Sequence, residues 1–254
     1  MRKHELKIEV AATPAELWKA LTTAQGIQSW FAPIAQVQPG VGGGITIGWA
    51  PGMEFTQPIE VWEPEQHLRA GLTDYYIEAN GDTTILRLVQ SGFGDDANFD
   101  GEFESTGIAW PVFMTMLKRS AEAGVDSCTN ATTFRFLDMP PAEAWHRLIA
   151  DKQFCDALVG GTIRHFHPRG CYCVDFADKM LSVFAENCAG KTALTVAWLL
   201  YGNTDASTDA NAWRDRWGQL IDKAVGTENG KNQTQNLFTA KDAEGAEETK
   251  DQKT

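Results

Sequence analysis

One motif occurs twice along the chain in identical register. Pro14-Ala15-Glu16, followed by Trp18 and Leu21, returns as Pro141-Ala142-Glu143, followed by Trp145 and Leu148. Each copy is preceded by an alternating apolar run that reads as a half-buried strand: Leu6, Ile8 and Val10 before the first, Phe134 and Phe136 before the second. Further matches follow in the same order. Gly42-Gly43-Gly44-Ile45 parallels Gly160-Gly161-Thr162-Ile163, and Thr84-Ile85-Leu86-Arg87-Leu88 parallels Thr192-Ala193-Leu194-Thr195-Val196. Ordered matches of this kind argue for duplication, and 254 residues suffice for two domains of ordinary size.

Local chemistry then assigns elements. Thr13 offers an N-cap hydroxyl, Pro14 suits the first helical position, and Glu16 completes a capping box. Leu17, Trp18 and Leu21 supply that helix's buried stripe. Short alternating runs at residues 34–37, 44–49, 57–62, 68–73, 75–78 and 83–90 imply an antiparallel meander, with Asn80-Gly81 as a tight hairpin turn. An amphipathic helix over residues 103–123, with Trp110, Met114 and Leu117 on one side, closes the first half. The second half offers fewer strands, at 162–167, 171–176, 181–186 and 192–201, and closes with a helix over 209–225 carrying Trp213, Trp217 and Leu220. The expected domains are residues 1–125, a shortened second copy over 126–226, and a polar tail over 227–254, too poor in apolar groups to offset the entropy of ordering.

Charge and composition exclude several classes. A formal net charge of -12 repels phosphate backbones and anionic headgroups, which argues against nucleic acid as a partner. No apolar run reaches the roughly 20 residues needed to cross a bilayer, and the first residues are not followed by an apolar segment of signal-peptide type. Five cysteines without framework spacing suit a reducing compartment. We therefore expect a cytoplasmic protein with no membrane insertion.

The residues 17–22 (LWKALT), Trp30-Phe31-Ala32-Pro33, the Gly42–Gly44 turn, Ile59-Glu60-Val61-Trp62-Glu63-Pro64-Glu65, residues 84–93 and Gly107-Ile108-Ala109-Trp110 resemble the START-like (SRPBCC, helix-grip) superfamily. Within it the chain is most similar to the branch named after the activator of the heat-shock-protein-90 ATPase, over about residues 4–123. The resemblance implies an α+β fold of two tandem helix-grip domains, each a curved antiparallel sheet wrapped around a long C-terminal helix, with a cavity between sheet and helix. Family members hold lipids, polyketides or hormones there, and other branches are cyclases, dehydratases or ring-hydroxylase subunits, so fold alone does not define function.

The expected ligand site is apolar. Trp30 and Phe31 are placed near its mouth, Trp49, Leu86 and Leu88 on inward strand faces, and Trp110, Met114 and Leu117 opposite on the helix; Tyr76, Gln90 or His67 could supply a polar anchor. Core packing is the commoner role for such side chains. In a hairpin turning at 168–170, His165 and His167 would share one face of their strand and Cys171 and Cys173 one face of theirs, and the four could converge as zinc ligands, although the spacing matches no established zinc pattern and buried thiols are the simpler reading. The glycine-rich residues 40–44 lead into a strand and lack a following Lys-Ser/Thr pair, so they read as a turn and not a phosphate loop. Asp95, Asp96, Asp100, Glu102 and Glu104 suit a solvated segment at a helix N-terminus. No common catalytic framework is present, and no cofactor or metal is expected. The preferred function is non-catalytic binding of an apolar small molecule, lipid-like or polyketide-like. The alternatives are a protein-interaction role modulating a chaperone ATPase, and a cyclase- or hydrolase-type enzyme.

Overall fold

The structure, a computed structural model, describes residues 2–156, 158–168, 170–188, 191–202 and 206–226. The polar tail over 227–254 lies outside the described residues. β1 (Arg2–Val10) leads into α1 (Pro14–Thr22) and α2 (Ala24–Gln28), then β2 (Ile34–Gln38), β3 (Gly44–Gly48), β4 (Glu54–Glu63), β5 (His67–Ala70), β6 (Thr73–Asn80) and β7 (Thr83–Phe93), and the series closes with α3 (Asp100–Ala123). The same series restarts with β8 (Cys128–Leu137), α4 (Pro141–Ala150) and α5 (Lys152–Asp156), continues through β9 (Thr162–His167), β10 (Cys171–Asp175), β11 (Lys179–Cys188) and β12 (Lys191–Tyr201), and ends on α6 (Ala206–Val225).

Both sheets are antiparallel and are strung alike. The first runs β1-β7-β6-β5-β4-β3-β2, the second β8-β12-β11-β10-β9, so in each half the opening strand pairs with the last strand and the meander returns from there. The chain is thus an α+β protein of two tandem helix-grip domains, the second with two strands fewer among the described residues.

The local signals work as physical devices. Thr13 Oγ1 accepts from the Glu16 amide at 3.2 Å while Glu16 Oε2 accepts from the Thr13 amide at 2.7 Å, closing the capping box of α1. Gly42 donates its amide to the Ile59 carbonyl at φ 83°, which holds the glycine-rich segment as a turn against β4. The hairpin between β6 and β7 corrects one detail. Asn80 pairs with Thr83 as the last strand residue, so Gly81-Asp82 forms the loop, and Gly81 alone takes positive φ, at 62°. The run expected as one strand over 68–73 is broken at Gly71 and Leu72, where β5 turns into β6.

The two sheets are buried differently, and this places the site. The second sheet's Leu181, Val183 and Ala185 on β11, with Leu194, Val196 and Trp198 on β12, pack with Trp145 of α4 and Trp217 and Ile221 of α6 in one core. The intervening residues Cys171, Cys173, Met180, Phe184, Ala197 and Leu199 belong to the core of the first half. The second sheet therefore covers α6 with one face and α3 with the other, which is why β12 reads as an almost continuous apolar run. α3 is enclosed, with β1 along it and β9 to β12 across it.

Candidate ligand-binding site

A cavity of about 500 Å³ lies where the first sheet, α3 and the outward face of the second sheet meet. The first sheet contributes Phe55, Tyr75 and Gln90 together with the preceding Trp49 and Met53; α2's following turn contributes Phe31. α3 presents Glu102, Thr106, Ala109, Trp110 and Phe113, spaced so that they fall on one helical face. The far wall comes from the second half: Phe134 and Phe136 of β8, Phe184 and Glu186 of β11, Ala193 and Thr195 of β12. Phe55 and Leu72, each 47% exposed, mark an apolar rim.

Phe31 is the hub of the aromatic wall. Its ring stacks on Trp30 at 4.8 Å and on Trp110 at 6.0 Å, and meets Trp49 and Phe113 edge-on at 5.5 and 4.7 Å. Such offset and edge contacts hold the rings in defined orientations. Trp110 Nε1 donates to Gln90 Oε1 at 2.6 Å, which engages the amide oxygen and orients the amide group on the cavity wall.

Among the ligand-site candidates, Phe31, Trp49, Gln90 and Trp110 line this cavity. Trp30 sits behind Phe31 with its indole N–H on the Ala20 carbonyl at 3.1 Å; Leu86, Leu88, Met114 and Leu117 are fully enclosed in the core. Tyr76 requires a correction. Side chains alternate along β6, so Tyr75 faces inward and Tyr76 outward, where it stacks on His67 at 4.2 Å beneath the Arg87 guanidinium. His67 is held there by Asp74 at 2.8 Å, so neither His67 nor Tyr76 serves the cavity as a polar anchor.

The His/Cys hairpin forms as expected, with His167 opposite Cys171 and His165 opposite Cys173. Its side chains have other occupations. His165 Nε2 lies 2.6 Å from Thr115 Oγ1 of α3, and Ser182 Oγ donates to Cys173 Sγ at 3.5 Å. Burial pushes the Cys173 thiol up to about 11 and the Cys171 thiol further in the same direction, so both are protonated at neutral pH. Among the described residues no group of three or more His, Cys, Asp or Glu is placed to hold a metal ion.

The site also has residues that pattern-reading passed over. Glu186 projects from the outward face of β11, half-buried, and its carboxylate makes no hydrogen bond or ion pair with another described residue. Burial lifts its carboxyl from 4.5 to about 7. It also borders a smaller recess of about 180 Å³ that includes Glu104, Pro141 and Cys171, so it stands between the two spaces.

A helix-grip domain with an aromatic cavity against its long helix is the architecture of the START-like class. The model of the family described as "Polyketide cyclase / dehydrase and lipid transport" matches residues 1–132, more than half of the chain, and the protein belongs to that family. Curated proteins give no match. Solved structures similar to the chain include a protein from Mesorhizobium loti, 22% identical over 46% of this chain and 95% of that one, TM-score 0.42. The Aha1 dimer protein from Colwellia psychrerythraea is 19% identical over 48% and 97%, TM-score 0.43. The di-domain ARO/CYC protein BexL of the BE-7585A biosynthetic pathway is 13% identical over 91% and 100%, TM-score 0.42. No helix of the described residues is long and apolar enough to cross a membrane.

Proposed function

We propose that the protein binds an apolar, ring-bearing small molecule in the cavity between its two halves, without transforming it. The observation that carries this reading is the cavity itself: about 500 Å³, walled by Phe31, Trp49, Tyr75, Trp110, Phe113 and Phe184. That volume falls within the roughly 300–1,000 Å³ usual for small-molecule sites, and membership of a cyclase and lipid-transport family supports an apolar ligand. On this reading residues 1–125 and 126–226 are the two domains, the second a diverged copy that serves as a wall, and Phe31, Trp49, Gln90 and Trp110 are the ligand contacts. Native mass spectrometry of protein purified from its own host tests it. A retained mass that is lost on denaturation supports the reading. Failure to carry any ligand, combined with failure to take up a ring-bearing apolar probe, removes it.

One observation favours a second, cyclase- or hydrolase-type reading. Glu186 is an acid that titrates near neutrality inside the cavity, as a general acid or base should. Turnover of a bound compound that disappears in Glu186→Gln, with binding retained, would establish it; turnover unchanged in that variant would exclude Glu186 as its carrier.

A further inference from the structure

We infer that this cavity selects aromatic ligands carrying a positively charged amine and rejects carboxylic acids, with Glu186 as the counter-charge. The inference rests on the binding reading above and names the ligand class that the walls would choose.

The charged side chains among the described residues that line the cavity are of one sign. Its carboxylates are Glu102, exposed on the first turn of α3, and Glu186, half-buried on β11; no Lys, Arg or His is among the described residues that line it. The adjoining recess adds the thiol of Cys171 of β10, and no Lys, Arg or His is among the described residues that line it. Tyr75, on the opposite wall, is a neutral phenol because burial raises its titration far above neutrality. The neighbouring strands present Ala193 and Thr195 from β12 and Phe134 and Phe136 from β8, which carry no charge.

Two forces then act on a cation in the same direction. An ammonium group would give the Glu186 carboxylate a partner that none of the described residues supplies, and a charge-assisted hydrogen bond in a poorly hydrated site is stronger than its neutral counterpart. The faces of Phe, Tyr and Trp rings attract cations through their quadrupoles, and this wall is largely aromatic. A carboxylate ligand meets the opposite conditions: it is stripped of water, placed near like charges, and offered no basic side chain by the described residues of the lining. The formal net charge of -12 acts in the same sense at longer range.

Three anthracenes differing only at one substituent test this: 9-(aminomethyl)anthracene as the ammonium, 9-(hydroxymethyl)anthracene as the neutral alcohol and anthracene-9-carboxylate as the acid. Calorimetric titration is run at a pH of about 8, where Glu186 is ionised. The ammonium should bind about tenfold tighter than the alcohol, and the carboxylate more weakly than the alcohol by about as much. In Glu186→Gln, an isosteric change, the ammonium's advantage over the alcohol should shrink by about fivefold, leaving only what the aromatic wall supplies, while the alcohol keeps its wild-type affinity. A carboxylate that binds as well as the alcohol, or an ammonium preference undiminished in Glu186→Gln, overturns the inference and leaves cavity binding standing. Should none of the three bind, and the protein from its own host carry no ligand, the cavity reading itself fails. The order in the wild-type protein decides the matter even if the variant does not fold.

Discussion

Phe113 of α3 and Phe184 of β11 stack with ring centroids 4.8 Å apart and planes 22° from parallel, and through this pair the helix gripped by the first sheet is also held by the second. Because both rings also line the cavity, the contact that joins the halves is part of the ligand site. Phe184→Ala should destabilise the protein by about 3 kcal/mol, since it removes a buried ring next to a space that cannot collapse on it. Denaturant unfolding of both single variants and the double variant should give a coupling of about 0.5–1.5 kcal/mol between the two rings. Strict additivity would mean that the stacking holds nothing together.

The pH dependence of stability follows from Glu186. Its folded value of about 7 lies above the ordinary 4.5, so between these values the folded state binds more protons than the unfolded state. The empty protein should therefore lose stability as pH rises from about 4.5 to about 7, and Glu186→Gln should flatten that window and be the more stable form above it. Thermal unfolding across the range checks this; a variant whose pH profile overlays the wild type refutes the assignment.

Thiol reactivity separates the cysteines by burial. Cys155 is exposed, whereas Cys128, Cys171 and Cys173 are buried, and burial raises the titration of those three. In a Cys188→Ser background, a thiol reagent should label Cys155 rapidly and the other three only after unfolding. Rapid labelling of Cys171 or Cys173 in the native state would show that the second sheet does not stay closed over α3.

The capping box of α1 gives a local control. Thr13→Ala removes the hydroxyl that accepts from the Glu16 amide and should cost about 1 kcal/mol in denaturant unfolding without changing probe binding. A change in probe affinity would show that α1 reaches the cavity.

Much of the architecture was legible in the sequence because it is written in local chemistry. The recurrence of Pro-Ala-Glu, Trp and Leu located α1 and α4, and alternation located β9 residue for residue. The site was less legible, for two physical reasons. Adjacent strand residues face opposite ways, so choosing Tyr76 over Tyr75 depended on a register that only the pairing of β6 with β7 determines. The second reason is that the far wall comes from the other half. Its trace was present in Ser182, Phe184 and Glu186 alternating with Leu181, Val183 and Ala185, and in the almost continuous apolar run of β12, which marks a sheet covered on both faces. That pattern implied a second packing surface, but not that α3 would fill it.

The central claim is that an apolar ligand sits between the two halves, and a wall residue far in sequence from the first domain tests it most directly. Ala193 of β12 is half-buried and its side chain faces the space that Phe31 and Trp110 line from the other side. Fluorescence titration of 9-(hydroxymethyl)anthracene into wild type and Ala193→Trp compares an open cavity with one filled by an indole. The account predicts saturable binding to the wild type and its loss in a variant that unfolds at a similar denaturant concentration. Equal binding to both proteins would place the probe elsewhere and contradict it.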